Sequence, residues 1–216
     1  MSLEAMLELA LALAAFLMAV VFHEYAHGRV AYLLGDPTAR DARRLTLNPL
    51  AHIDPFGTVL LPLLLVTLRF AFSMNVPIVG YAKPVPVNPG YFRHPYQGMM
   101  LVALAGPTVN LLLAGAGTGL WHGLGASLPE PLSSFVFYSV VINIILALFN
   151  LIPVPPLDGS RVLLYLLPEG GKRALLLLEP FGFVIIFLLL YAGLLQYLLM
   201  PIVSWVETML LGGRLS

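Results

Sequence analysis

The chain alternates long, unbroken apolar runs with short polar breaks, and the runs lack the one-sided periodicity of a soluble surface helix. Leu3 to Leu34 contains no proline and a single glycine. A crossing takes about 20 apolar residues for a hydrocarbon layer of roughly 30 Å, whereas this run as a helix would measure about 48 Å, so its last turns must emerge or tilt. Its start resembles a signal peptide in Leu and Ala content, but Glu4 and Glu8 stand where a basic region belongs and no clear cleavage site follows. A retained helix is expected. Gly98 to Leu124 and Ser133 to Ile152 have spanning length. Leu157 to Leu167 predicts a short helix after a proline-rich break. Ala174 to Leu199 predicts the last span, bent at Pro180 and followed by an interfacial tail with Trp205. Pro55 to Phe72 is apolar but shorter, with Pro62 inside and Arg69 near its end. The pattern predicts an all-α polytopic membrane protein with about four to six membrane segments, folded as one domain over residues 1–216 without repeat or linker.

Composition agrees with a bilayer as solvent: 59% of the residues are hydrophobic, 10% are charged, and the mean hydropathy is +0.91. Soluble domains are roughly half apolar and a quarter charged. Eleven Lys+Arg balance eleven Asp+Glu, and no basic run exceeds Arg43-Arg44, which argues against a nucleic-acid partner. The chain has no cysteine, so disulfides, thiol nucleophiles, Fe–S clusters and Cys-ligated zinc are excluded. Any metal must sit on His, Asp or Glu.

Charge position predicts orientation, because Lys and Arg are retained on the cytoplasmic side of short loops. Arg40, Arg43 and Arg44 follow the first helix, Lys83 and Arg93 precede the Gly98 helix, and Arg161, Lys172 and Arg173 follow the Ser133 helix. The loop from Gly125 to Leu132 carries only Glu130. The N-terminus is therefore expected outside a cell membrane, and Pro55 to Phe72, with both ends inside, is expected to be re-entrant or interfacial. Irregular backbone at that depth is tolerated only against protein or a wet cavity.

Within the first helix stands Phe22-His23-Glu24-Tyr25-Ala26-His27. This is H-E-x-x-H, with its histidines four residues apart on one helical face and able to ligate one ion. A catalytic zinc takes three protein ligands and keeps one position open, and the Glu of this motif serves as general base toward the attacking water. Paired histidines also occur as packing residues, yet three ionisable groups within five positions of a membrane helix mark a functional site. The third ligand should be an acid or histidine elsewhere. Asp158 is the best candidate, since Pro153, Pro155 and Pro156 forbid a continuous helix before it; its plainer role is N-cap of the helix from Gly159. The charge bias brings it to the depth of the histidines.

H-E-x-x-H in a membrane helix, Gly106-Pro107-Thr108-Val109-Asn110 in a later one, and Asn150-Leu151-Ile152-Pro153-Val154-Pro155-Pro156-Leu157-Asp158-Gly159 after the next together resemble the site-2 protease family of intramembrane zinc metalloproteases, peptidase family M50. Asn48 to Thr58 and Ala82 to Pro89 resemble its compact prokaryotic branch. The resemblance implies one zinc held by His23, His27 and Asp158, with Glu24 as base. It implies transmembrane protein substrates and a role for Asn150 in holding substrate or the developing oxyanion, while the charge bias has the site opening toward the cytoplasm. Asn150 otherwise satisfies carbonyls where its helix breaks. Asn110 is open between helix packing and substrate contact. His52 is open between a donor or gate near the site and a surface or capping residue, while His94 and His122 are expected to be interfacial. The arginine cluster at 40–44 reads as a topology determinant. No helix before the H-E-x-x-H helix, no PDZ insertion and no CBS-like tail are expected, so substrate selection would rest on the membrane region or on partners. An edge strand between Pro55 and Pro89 could hold an unwound substrate. The competing readings are a metal-binding membrane transporter, which uses similar intramembrane residues, and an inactive scaffold.

Overall fold

The computed structural model describes residues 2–61, 63–65, 67, 83–124 and 127–211. Helix α1 spans Leu3–Leu33 and opens with the Ser2 hydroxyl accepting the Ala5 N–H at 3.2 Å. Gly35, at φ 103°, turns the chain into the single-turn α2, Thr38–Asp41. A 3₁₀ turn at Pro49–His52 and a wide π-type turn at Pro55–Leu60 follow. Helix α3, Pro95–Leu124, and helix α4, Glu130–Asn150, are the next two long elements. Short helix α5, Asp158–Leu166, lies beyond the proline-rich break. Helix α6, Glu169–Leu178, and helix α7, Gly182–Tyr191, are joined by a 3₁₀ turn at Glu179–Phe181, and α8 covers Leu194–Leu211.

Four described helical stretches are long and apolar enough to cross a membrane: α1, α3, α4 and the joined α6–α7 unit, Glu169–Tyr191. The all-α polytopic architecture expected from the hydrophobic pattern is thus present, and no strand occurs among the described residues. The predicted last span is displaced. It begins earlier, at Glu169, and ends at Tyr191 because Gly193 takes φ 71° and breaks the helix, so residues 194–211 form a separate helix that includes Trp205. Pro180 sits in the 3₁₀ turn, where its missing N–H is tolerated. The expected re-entrant segment at Pro55 to Phe72 is helical as far as residue 67 where described, and its remainder, with most of the expected edge strand, lies outside the described residues.

Helices α1, α3 and α4 pack on one another along their length, and α5 docks on α3. Small residues make the approach close: Ala15 and Ala19 of α1 and Ala147 of α4 are wholly buried. Trp121, Val136, Val140 and Ala114 fill one end of the α3–α4 seam, while Ala31, Phe92 and Val102 form a second cluster at the other end of α1. Helix α5 is anchored twice. The Arg161 guanidinium pairs with the Glu179 carboxylate, and Gly159 sits so tightly on the break that a Cβ there would collide with the Leu151 carbonyl oxygen and lie 2.6 Å from that of Ile152.

Gly159→Ala should therefore lower the stability of the detergent-solubilised protein by about 1–3 kcal/mol through overpacking, read as a fall in its thermal midpoint. An unchanged midpoint would mean that the break repacks freely.

Candidate metal centre

The two histidines of α1 face α3, one turn apart, with ring centroids 4.5 Å apart and nearly perpendicular planes. What lets α3 approach them is Gly106: a Cβ at that position would lie 2.5 Å from His23 Cε1 and 2.6 Å from His27 Cε1. Only glycine leaves room for both imidazoles.

Each ring is held by its Nδ1. His27 Nδ1 lies 2.7 Å from the Val102 carbonyl, which only accepts, so this nitrogen carries the proton. His23 Nδ1 lies 2.6 Å from Asn110 Oδ1. The orientation of that amide follows from its other partners: Asn110 Nδ2 donates to the Ala19 carbonyl at 3.1 Å and to Asn143 Oδ1 at 2.7 Å. Since a backbone carbonyl cannot donate, the oxygen must face His23 and receive its proton. Asn143 in turn donates from Nδ2 to the Ser139 carbonyl at 2.8 Å. Asn110 and Asn143 are fully buried, so this relay lies wholly inside the α1–α3–α4 bundle.

In the neutral rings, with the proton on Nδ1, the Nε2 lone pairs point toward the remaining side. There they meet Asp158 Oδ2, at 3.2 Å from His23 Nε2 and 3.3 Å from His27 Nε2. That oxygen is buried and has no hydrogen bond. Three lone-pair donors facing one point repel unless a cation lies between them. The spacing fits a metal, because bonds of about 2.0 to 2.1 Å in a tetrahedron put neighbouring ligand atoms about 3.3 Å apart. His23, His27 and Asp158 are accordingly a group able to hold one ion, with each Nδ1 tied down in the manner that fixes metal-ligating imidazoles. Asp158 stands at the first residue of α5 without capping a backbone N–H, so its plainer expected role is not what the structure shows.

The remaining candidates fall in different places. Glu24 follows His23, about 100° further round α1, and its Oε2 accepts the Val85 N–H at 2.8 Å. Asn150 ends α4 with its Nδ2 donating to the Leu146 carbonyl at 2.9 Å, a bond within its own helix. Asn110 is a support for His23 rather than an open contact for substrate. His52 is buried, not at the surface, and its Nε2 donates to the Thr46 carbonyl at 2.9 Å. His94 and His122 are exposed.

The chain that crosses over Glu24 runs extended from Lys83 to Asn88. Prolines at 84 and 86 remove two N–H groups, and three of the four left are placed: Lys83 on the His52 carbonyl at 3.0 Å, Val85 on Glu24, and Asn88 on Asp36 Oδ2 at 2.7 Å. Arg44, read from sequence as a topology determinant, is buried and donates to the Lys83 carbonyl at 2.5 Å. Reasoning from sequence missed Asn143, Asp36 and Val85. The first two carried a signal, a polar group in an apolar span and an acid just past a helix end; Val85 acts through its backbone and carried none.

Loss of the His23 support should show in metal binding. Asn110→Ala is expected to weaken zinc affinity by about 10- to 100-fold, and Gly106→Ala by at least as much, in a competition titration of the purified protein against a chromogenic chelator. Wild-type affinity in both variants would detach this framework from the ion.

Comparison with known proteins agrees with the geometry. Residues 119–190 match the model of peptidase family M50. Over 195 residues the chain is 37% identical to “Putative zinc metalloprotease YwhC” of Bacillus subtilis, covering 87% of this chain and 83% of that protein. It is 28% identical over 195 residues to “Putative zinc metalloprotease Rip2” of Mycolicibacterium smegmatis, covering 90% of this chain and 72% of the relative. The Rip2 of Mycobacterium tuberculosis is likewise 28% identical, over 193 residues and 89% of this chain. No solved structure matches the chain. The identity to YwhC across most of both chains, together with the family match, shows that this multi-pass membrane protein belongs to peptidase family M50, the site-2 protease family.

Proposed function

We propose that the chain is an intramembrane zinc endopeptidase, one membrane domain over residues 1–216, that hydrolyses peptide bonds within or near the transmembrane segments of other proteins. The observation that carries this reading is the meeting of His23 Nε2, His27 Nε2 and the unpartnered Asp158 Oδ2 within a bundle of membrane-length helices, beside Glu24. These three residues would hold one zinc and leave a fourth position for water or substrate. When bound, zinc supplies Lewis-acid chemistry, lowering the pKa of a water and polarising a carbonyl.

The chain's own groups do the rest. Glu24 Oε2 is held by the Val85 N–H, which leaves Oε1 to take a proton from the attacking water and return it to the leaving amine. Asn150 would hold the scissile carbonyl or the developing oxyanion, since an amide N–H stabilises that charge without adding one of its own; in doing so it would give up the Leu146 carbonyl. A helical substrate must unwind first, because its carbonyls are hydrogen-bonded and covered. The relatives' names supply the metalloprotease chemistry, and the apolar bundle supports substrates that reach it through the bilayer. The Lys and Arg distribution supports an N-terminus outside the cell membrane and a site open to the cytoplasm.

Metal content and cleavage of a test transmembrane substrate, measured on the same purified samples, separate the roles. The wild type should carry one zinc per chain and cleave. His23→Ala and Asp158→Ala should lose both. Glu24→Gln should keep its zinc and lose about 10²- to 10⁴-fold in rate, the usual worth of a general base. Wild-type cleavage by Glu24→Gln would remove Glu24 from that role. Metal flux into liposomes without proteolysis would favour a transporter, and zinc without cleavage of any transmembrane substrate would favour a scaffold.

A further inference from the structure

Fifteen residues before His23, about 22 Å along α1, the half-buried carboxylate of Glu8 lies against α4. Glu8 accepts two hydrogen bonds from α4: Ser134 Oγ at 3.1 Å and Tyr138 Oη at 2.7 Å. Both donors are neutral. Among the described residues Glu8 forms no ion pair, and no Lys or Arg occurs at positions 1–28, 94–160 or 174–213, so the adjoining helices have none to offer. A carboxylate in a membrane helix is costly without a partner of opposite charge, and the two hydroxyls are not that partner.

The space beside it suits one. Glu8, Ser133, Ser134, Trp121, Phe137 and Tyr138 line an open cavity of about 190 Å³. Three of the six are aromatic and form a continuous wall, with Trp121 and Phe137 centroids 6.0 Å apart and Phe137 and Tyr138 5.8 Å apart. Aromatic faces attract ammonium groups, and Trp and Tyr concentrate at the head-group level of bilayers. Leu7 and Leu132 close by are exposed, as surfaces lying against acyl chains would be. The nearest formal charges in sequence, Glu4 and Glu130, are acidic and would repel an anionic lipid.

We propose that this cavity binds the ammonium head group of an aminophospholipid, with Glu8 as counter-ion and Trp121, Phe137 and Tyr138 as the wall. It is a lipid site at the end of the bundle remote from the metal centre, and it does not depend on the protease reading.

Native mass spectrometry of the full chain in detergent, with equimolar phosphatidylethanolamine and phosphatidylglycerol, tests it without any activity assay. The wild type should hold the ethanolamine lipid in preference by about fivefold, the scale of one partly exposed cation–π contact, and free ethanolamine should compete. Glu8→Gln should abolish the preference while zinc content and thermal midpoint stay unchanged. Phe137→Leu, which leaves Glu8 and its two donors in place, should reduce the preference. Equal retention of the two lipids by the wild type, or an unchanged preference in both variants, would overturn the proposal. So would a Glu8-dependent preference for a lysine-flanked transmembrane peptide over its glutamine twin with no lipid preference, which would assign the cavity to a protein partner.

Discussion

A nitrogen or oxygen enclosed among apolar helices has no water to turn to, and leaving it unpaired costs several kcal/mol. This constraint organises the centre of the molecule. Ser139, Asn143, Asn110 and His23 form one continuous relay from α4 through α3 to α1, and the Val102 carbonyl takes the Nδ1 proton of His27. Once those bonds are made, the two imidazole Nε2 atoms are left facing one oxygen of Asp158, and the three share one point in space. The candidate metal position is thus what remains after the bundle has satisfied every other group in the relay. Gly106 is the geometric condition for this arrangement, because any side chain there would occupy the volume of the rings.

The same logic extends to the carboxylate beside the site. A proline-alternating stretch is poor in donors, and this one spends three of its remaining N–H groups on partners from three different segments, namely His52, Glu24 and Asp36. Proline also holds the residue before it extended, so the crossing chain needs little else to stay straight. Arg44 gathers the carbonyl of Lys83, and Asp36 ties the far end to the turn after α1 through Thr38 and Asn88. The loops following α1 therefore act as a frame that fixes where the Glu24 carboxylate points.

Along α1 the two ends carry unlike chemistry. One half presents imidazoles to lone-pair partners, the other a carboxylate to hydroxyls and aromatic rings. Between them the buried face is small and apolar, with Ala15 and Ala19 letting α3 and α4 come close enough for both sets of contacts. Small-residue packing in the middle is what lets one helix bring polar groups at both of its ends against its neighbours.

Local sequence was enough for the helical spans, for the pairing of His23 with His27 on one face, and for Asp158 as the acid freed by Pro153, Pro155 and Pro156, because each depends on the 3.6-residue period or on the missing N–H of proline. The end of the last span was misjudged, since nothing in the apolar run after Ala174 announced that Gly193 would take a left-handed conformation. Asn110 stayed ambiguous and Asn143 unnoticed, because an asparagine in an apolar helix declares that it needs partners without saying which. Those partners are set by how α1, α3 and α4 are rotated and at what depth they meet, a long-range outcome of side-chain packing. The residues of the site belong to the sequence, and their convergence on one point belongs to the tertiary structure, which alone brings an acid at position 158 within 3.3 Å of a histidine at position 27.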